Sequence, residues 1–326
     1  MNQNYLDTAR LLTQVAPLVF SDGAFALKGG TAINLFIRDM PRLSVDLDLV
    51  FPDHSLARDE ALARINASIR HSAERLETRG FQTHVPTTAD AGETKLLVRR
   101  AGIEVKIEVN YVMRGTVHPV RSAALTPMAR DTLLADLEIP VVSLEDVYGG
   151  KLVAAMDRQH PRDLFDVMQL FAHEGITPGI RRTFVVYLAS HNRPIHEVLF
   201  PTLRNIDREY EFNFRGMTTQ PVELAALLDA RERMMQELQG GLDADERRVV
   251  VGLLRYDGYL GRHERERERL LRLRHVPLPA DLEPQRLPGL SREVIEALAR
   301  ERPRSLAEAE RVPGMTPAAL AIVAGW

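Results

Sequence analysis

The stretch from Phe25 to Phe51 constrains the fold of this chain more than any other part of the sequence. Within it, Asp46 and Asp48 alternate with aliphatic residues, and this period-2 alternation predicts a strand with both carboxylates on one face. Carboxylates two residues apart on a strand have Cβ atoms about 7 Å apart. That spacing suits Mg²⁺, which binds one or two carboxylates and keeps positions for phosphates. Acidic residues on the water-facing side of a sheet are the alternative interpretation.

A glycine-rich turn precedes the acidic strand. Gly29-Gly30-Thr31 follows the apolar run Phe25–Leu27 and leads into a short helical pattern at Ala32–Arg38. Such a turn exposes backbone N–H groups at a helix N-terminus, which suits phosphate binding. A phosphate-binding turn that leads directly to a metal-binding strand is what nucleotidyl transfer requires, because metal ions there activate the attacking oxygen and stabilise the leaving pyrophosphate.

A second alternating segment offers a third carboxylate. In Ile103–Tyr111, the side chains of Glu104, Lys106 and Glu108 share one face and the aliphatic residues share the other. If this strand pairs near the acidic strand, it supplies a further metal ligand, and alternation does not choose between Glu104 and Glu108. A cross-strand ladder of ion pairs is the structural alternative.

Charged residues cluster where two predicted helices meet. Ser143 is a candidate N-cap for the first helix, and Pro161 stands in the first turn of the second. We interpret Lys151 as a point charge for a triphosphate and Asp166 as either a base or the group that orients Lys151. Asp163, three residues from Asp166 on the same helix face, is expected to pair with an arginine. Helix capping and surface ion pairs are the alternative.

Composition limits the classes of protein to consider. The 326 residues suffice for two or three domains, and we predict divisions at 1–180, 181–280 and 281–326. A net charge of −3 excludes a globally basic nucleic-acid binder. The absence of cysteine excludes disulfides, thiolate metal sites and a cysteine nucleophile. No signal peptide is recognisable at the start, and no apolar run approaches the ~20 residues of a membrane span, so we expect a cytoplasmic protein with no membrane partner.

The C-terminal half has a helical pattern from about residue 180 onward. Arg262–Arg274 contains more arginine than glutamate, which indicates a solvated helix face or, alternatively, a contact with an RNA backbone. The tail from Leu287 to Trp326 contains a Pro313-Gly314 turn between helical patterns. This arrangement resembles helix-hairpin-helix or HRDC-type nucleic-acid modules, and a helical cap is the alternative.

Taken in order, the motifs over about residues 5–275 resemble the AbiEii/AbiGii (MenT-like) toxin-type nucleotidyltransferases of the DNA polymerase β-like superfamily. The residues that carry the resemblance are Lys28-Gly29-Gly30-Thr31-Ala32, the alternating Arg42, Ser44, Asp46 and Asp48 with Leu49, Lys106-Ile107-Glu108, Lys151-Leu152 and Arg162-Asp163-Leu164-Phe165-Asp166. The resemblance implies an α+β fold: a nucleotidyltransferase (polymerase β-like) core with a mixed sheet and flanking helices, followed by an all-helical C-terminal half.

The resemblance also implies an activity and its site. The activity is Mg²⁺- or Mn²⁺-dependent transfer of NMP from an NTP to RNA, most often the 3′ end of tRNA, by the toxin of a toxin–antitoxin or phage-defence system with a cognate antitoxin. By position, the resemblance assigns nucleotide binding to Lys28, Gly29, Gly30, Thr31, Arg42, Ser44 and Lys151, metal binding to Asp46, Asp48 and Glu108, and catalysis to Asp46, Asp48, Lys151 and Asp166. The acid of the second strand is more often Asp in the family. Transfer to a protein hydroxyl, or a regulatory nucleotide-binding module without turnover, remains open.

Overall fold

The computed structural model describes residues 3–86, 93–111, 114–254, 278, 282–287, 290–309, 311–315 and 317–324. The chain divides into two compact units, Met1–Val251 and Gly252–Trp326. The strands are β1 (Ala26–Lys28), β2 (Leu47–Val50), β3 (Gln82–His84), β4 (Glu93–Arg100), β5 (Ile103–Asn110), β6 (Arg121–Ala124) and β7 (Glu138–Val141). The first helices are α1 (Gln3–Val19), the short α2 (Gly29–Thr31), which continues into a π-helical segment at Ala32–Ile37, then α3 (Arg58–Thr78) and α4 (Pro127–Leu133).

The remaining helices of the first unit follow the last strand. They are α5 (Leu144–Arg158), α6 (Pro161–Ala172), α7 (Pro178–Ala189), α8 (Ile195–Leu199), α9 (Asp207–Asn213) and α10 (Leu224–Gly240). A further helix, α11, is described over residues 244–254. Helix α7 packs on α5, and α10 packs on α6. Among the described residues, no helix is both long enough and apolar enough to cross a membrane.

The seven strands form one mixed sheet in the order β3-β4-β5-β2-β1-β7-β6. Strand β2 runs antiparallel to β1 and parallel to β5, while β1 runs parallel to β7. The mixed sheet with flanking helices confirms the predicted fold class. The two strands that the sequence marked as functional, β2 and β5, are neighbours at the centre of this sheet.

The two faces of the central strands differ in polarity, as the alternation predicted. Val105, Ile107 and Val109 of β5 are buried, as are Leu47 and Leu49 of β2. Helix α1 packs against β5 and also against α3, so this apolar face is covered by helix. The acidic and basic residues of β2 and β5 therefore lie on the opposite face.

The acidic strand is shorter than predicted. Strand β2 begins at Leu47, so the expected strand through Ser44 and Asp46 was wrong. The reason is a competing partner: the segment 41–43 hydrogen-bonds to 217–219, with an isolated bridge between Arg42 and Thr218. Because the backbone of 41–43 is bonded there and the backbone oxygen of Asp46 accepts a hydrogen bond from Thr31, the chain joins the sheet only after Asp46.

The junction of α5 and α6 forms as the local sequence predicted. The hydroxyl of Ser143 accepts a hydrogen bond from the backbone N–H of Asp146 at 3.0 Å, and α6 begins at Pro161. Gly149 lies where a Cβ atom would be 2.8 Å from Cγ2 of Thr183. The glycine therefore permits the close packing of α7 on α5.

The second unit contains its own small core. Its helices are α12 (Arg292–Glu301), α13 (Leu306–Ala309) and α14 (Pro317–Ala324). Leu298, Leu306 and Val323 are among the buried residues of that core. The predicted turn at Gly314 has a φ of +82°. The segment Arg262–Arg274 lies outside the described residues, and the predicted division at residues 180 and 280 stays a prediction.

Candidate active site

Strand register brings the predicted site residues into one row across the sheet. Lys28 of β1 lies opposite Asp48 of β2, and Asp48 lies opposite Glu108 of β5. Lys95 of β4 lies opposite Glu108 on its other side. Since partners in register share a face of the sheet, Asp48 stands between a lysine and a second carboxylate.

The register also separates the two candidate third carboxylates. Glu108 is the direct neighbour of Asp48, whereas Glu104 lies four residues earlier on β5 and pairs with an exposed arginine of β4. The Oε1 atom of Glu108 is 3.3 Å from Nζ of Lys95, and Oε2 is 3.2 Å from Nζ of Lys106. Glu108 is therefore both beside the acidic pair and part of an ion-pair ladder.

Asp46 lies in a partly buried position just before β2. Its backbone oxygen accepts a 2.6 Å hydrogen bond from the hydroxyl of Thr31. Burial raises the pKa of the Asp46 carboxyl above its ordinary value; Asp48 acts in the same direction, while Lys106 and Arg162 only partly oppose it. A carboxylate with too little compensating positive charge is suited to bind a cation.

The two glycines of the turn allow the acidic segment to approach the backbone. A Cβ atom at Gly29, where φ is +74°, would lie 2.3 Å from Oδ2 of Asp48. A Cβ atom at Gly30 would lie 2.8 Å from Nη2 of Arg42 and 3.0 Å from Oγ of Ser44. A side chain at either position would therefore displace a neighbour, because Asp48 occupies the space at Gly29 and Arg42 and Ser44 occupy it at Gly30.

Thr31 fixes the turn to the acidic segment. The side chain is fully buried, and besides bonding to Asp46 its Oγ1 lies 3.0 Å from Oγ of Ser44. Ser44 is partly exposed. Of the two hydroxyls that the resemblance assigns to nucleotide binding, the one of Ser44 is thus the more accessible to a ligand.

Asp166 of α6 is fully enclosed by donors. Arg42 donates from Nε to Oδ1 at 2.9 Å and from Nη2 to Oδ2 at 2.6 Å. Asn34 donates to Oδ1 at 3.1 Å, and Nζ of Lys151 lies 3.0 Å from Oδ2. Burial alone would raise the pKa of Asp166, but the charges of Arg42 and Lys151 hold it below its ordinary value. This arrangement favours an orienting role for Asp166 over the role of a base.

Lys151 lies between two carboxylates of α6. Its Nζ is 2.8 Å from Oδ1 of Asp163 and 3.0 Å from Oδ2 of Asp166. Although burial acts to lower the pKa of Lys151, these two charges raise it above its ordinary value. Asp163 also pairs with Arg158 at 2.9 Å, as predicted for a structural member of the cluster.

Two residues of this region were given no role from the sequence. Asn34, on the π-helical segment, donates to the backbone oxygen of Gly30 at 2.9 Å as well as to Asp166. Arg162, in the first turn of α6, exerts its charge on Asp46. Asn34 had no periodicity to mark it. The signal for Arg162 was its place in the motif beside Asp163.

The donor set fits a hard divalent cation bound by two carboxylates. In the described part of the chain, no three His, Asp or Glu side chains converge closely enough to hold an ion by themselves. Mg²⁺ commonly uses one or two carboxylates and completes its shell with water and substrate phosphates. Two carboxylates meet that requirement: Asp46, whose pKa is raised first by burial, and Asp48, whose Oδ2 lies against the Gly29 turn. The role of Glu108 as a third ligand stays a prediction.

The fold and this site define a class of protein. A mixed sheet whose acidic strand follows a Gly-Gly turn, supported by a buried lysine of α5 and two buried aspartates of α6, is the arrangement of a nucleotidyltransferase. Residues 10–257 match the family described as "Nucleotidyl transferase AbiEii toxin, Type IV TA system". The chain belongs to this family and is a nucleotidyltransferase toxin of the type IV toxin–antitoxin class.

A solved structure shares the fold. MenT4, a nucleotidyltransferase toxin from Mycobacterium tuberculosis H37Rv, superposes with a TM-score of 0.56 at 20% sequence identity, covering 76% of this chain and 87% of that chain. At this identity the similarity supports the fold, which agrees with the MenT-like resemblance of the sequence.

The tail matches a different family. Residues 266–325 match the "tRNA modifying enzyme MnmG/GidA C-terminal helical bundle". The tRNA uridine 5-carboxymethylaminomethyl modification enzyme MnmG of Geotalea uraniireducens (strain Rf4) is 45% identical over 82 residues, which are 25% of this chain and 13% of that protein. The chain thus spans about an eighth of the length of this relative. The prediction of a helix-hairpin-helix or HRDC module stays a prediction beside this match.

Proposed function

We propose that this toxin transfers NMP from an NTP to the 3′ end of an RNA, specifically a tRNA. The observation that carries the proposal is how closely the acidic pair approaches the turn. Oδ2 of Asp48 lies so near Gly29 that a Cβ atom built there would be only 2.3 Å from it. Asp46 lies beside it with a raised pKa caused first by burial. A triphosphate at this turn brings its phosphates directly to the two carboxylates.

The proposed reaction forms a bond between the terminal ribose oxygen of the RNA and the α-phosphorus of the NTP. The bond from that phosphorus to the oxygen it shares with the β-phosphate breaks, pyrophosphate leaves with that oxygen, and the proton of the ribose hydroxyl passes to solvent water. Asp46 and Asp48 would hold Mg²⁺, and the bound ion would supply positive charge that favours deprotonation of the hydroxyl and stabilises the leaving pyrophosphate. Mn²⁺ presents the same preference for oxygen ligands.

The support for RNA as acceptor comes from the tail. The second unit is related to a helical bundle of an enzyme whose name states that it modifies tRNA. A bundle appended to a nucleotidyltransferase raises the local concentration of acceptor if it binds the same RNA. The type IV family description supports a cognate antitoxin as partner. We further propose that the protein acts in the cytoplasm and serves in phage defence.

The test is a transfer assay with a matched pair of variants. Purified protein is incubated with Mg²⁺, each α-³²P-labelled NTP in turn and total bacterial tRNA. We expect label on tRNA with the wild type and with Glu104→Gln, and none with Asp46→Asn, because Glu104 pairs with an exposed arginine away from the acidic pair. Equal labelling by Asp46→Asn would overturn the assignment of the site.

The same assay separates the acceptors. Label that stays on tRNA after protease treatment and is removed with its terminal nucleotide supports transfer to the 3′ end. Label on a protein would replace RNA with a protein hydroxyl as the acceptor. Binding of an NTP without label on any added acceptor would favour a regulatory module without turnover.

A further inference from the structure

Apart from Lys95 and Lys106, which pair with Glu108, and Arg158, which pairs with Asp163, the cations around the acidic pair fall into two groups. Arg42 and Lys151 are almost completely buried, with 2% and 7% of their surface exposed. Arg42 donates to both oxygens of Asp166 and to the backbone oxygen of Leu43, and Lys151 pairs with Asp163 and Asp166. Both charges are already committed to buried carboxylates.

The second group consists of Lys28 and Arg162, which are partly exposed. Across the portion of the chain that the structure describes, neither side chain takes part in an ion pair, in contrast to the neighbouring Arg158. Lys28 lies opposite Asp48 in the register of β1 and β2. Arg162 lies in the first turn of α6, and its backbone N–H donates a hydrogen bond to Nδ1 of His160.

Arg162 belongs to the helix that is tied to the acidic segment, because Asp166, four residues further along α6, binds Arg42, which lies four residues before Asp46. The charge of Arg162 is one of those that oppose the burial-driven rise in the pKa of Asp46. The next residue along α6, Asp163, faces Lys151 and Arg158, so Arg162 emerges from the same turn without joining that cluster. The acidic pair is therefore bordered by one uncommitted cation from the sheet and one from α6.

We propose that Arg162, together with Lys28, binds the triphosphate of the NTP, and that Lys151 and Arg42 act as positioning residues, which hold Asp166 and thereby keep helix α6 and its Arg162 beside the acidic segment. This inference rests on the proposed nucleotidyl transfer and assigns its phosphate contacts. The guanidinium of Arg162 can donate two parallel hydrogen bonds to a phosphate, and the ammonium of Lys28 acts as a compact charge.

The physical argument is the loss of stability that would follow if Lys151, rather than Arg162 and Lys28, bound the triphosphate. If Lys151 moves to a triphosphate, Asp163 and Asp166 lose an ion-pair partner inside the protein, and a buried charge left without its partner is strongly destabilising. Arg162 and Lys28 reach a phosphate without breaking any such pair. A triphosphate is also repelled by Asp46 and Asp48, so uncommitted positive charge is needed beside them.

The test measures binding in the absence of RNA, so that it does not depend on turnover. Inorganic tripolyphosphate and each of the four NTPs are titrated into the full chain with Mg²⁺ by calorimetry. Arg162→Gln is compared with Arg208→Gln, which removes an exposed arginine from the first turn of α9. We expect Arg162→Gln to weaken binding about ten-fold or more, as for loss of a hydrogen bond to a charged group, and Arg208→Gln to bind like the wild type.

A third variant tests the positioning role. Lys151→Met is expected to lower the melting temperature while weakening tripolyphosphate binding less than Arg162→Gln does at a temperature where both are folded. If Arg162→Gln binds both ligands like the wild type, the inference is wrong and the proposed function stands. If folded Lys151→Met loses binding and Arg162→Gln keeps it, Lys151 is the phosphate contact. If the wild type binds no NTP and no tripolyphosphate, the proposed function itself fails.

Discussion

Arg42 binds both carboxylate oxygens of Asp166 across a sequence separation of 124 residues, at 2.9 Å and 2.6 Å. Both side chains are buried. The pair connects two parts of the site. One is the segment that leads through Asp46 into β2, and the other is helix α6, which carries Arg162. The ion pair is therefore a direct link between the segment that leads to Asp46 and the helix that carries Arg162.

Asp166→Asn should destabilise the protein more than it perturbs the chemistry directly. The substitution leaves Arg42 and Lys151 buried with less negative charge around them. Removing one partner of a buried ion pair lowers the free energy of unfolding by about 3–5 kcal/mol. The free energy of unfolding from urea titration measures this cost. Glu104→Gln, at an exposed pair, is the control, with a change within about 0.5 kcal/mol. A fully stable but inactive Asp166→Asn protein would instead indicate a direct catalytic role.

Acid should destabilise the protein through Asp163 and Asp166. The folded-state pKa of each lies below its ordinary value; burial opposes this shift, and ion pairs with Lys151, Arg158 and Arg42 outweigh it. Their stabilisation is therefore present above the unfolded pKa of about 3.9 and is lost as pH falls through the lower folded pKa. Unfolding free energies measured from pH 5 downward should fall less steeply for Asp163→Asn than for the wild type. Equal slopes would contradict this origin of the acid sensitivity.

Sequence pattern identified what is local in this site. The alternation in β5, the Ser143 cap and the start of α6 at Pro161 all depend on residues close together in the chain. Strand β7 was missed because it contains Pro140, which argues against a strand.

Long-range partners could not be read from the pattern. The contact of Arg42 with Asp166 and the bridge of Arg42 to Thr218 both join distant parts of the chain. Alternation reports which face a side chain occupies, not which segment pairs with it. For the same reason, the choice of Glu108 over Glu104 as neighbour of Asp48 needed the β2–β5 register.

Mg²⁺ should stabilise the protein through Asp46 and Asp48. Because burial raises the pKa of Asp46 and Asp48 adds to the effect, a bound cation relieves an unfavourable interaction and raises the melting temperature by mass action. Asp46→Asn and Asp48→Asn should remove the Mg²⁺-dependent rise, and chelation should reverse it in the wild type. Since protonation of Asp46 competes with the cation, the rise should shrink as pH falls through the raised pKa. A rise of the same size in Asp46→Asn would place the cation elsewhere.

Gly29→Ala should disable the site by displacing Asp48. The new Cβ would lie 2.3 Å from Oδ2 of Asp48 at a φ of +74°, so the protein bears both backbone strain and a steric clash. Gly102→Ala is the matched control, because Gly102 has a φ of +79° and an added Cβ there would meet nothing within 4 Å beyond its chain neighbours. Each substitution should cost about 1–3 kcal/mol of stability from strain alone. Gly102→Ala should keep Mg²⁺ stabilisation and transfer activity, whereas Gly29→Ala should lose both. If Gly29→Ala kept them, the turn would not be what seats Asp48 for cation binding, and strain would be the only role of that glycine.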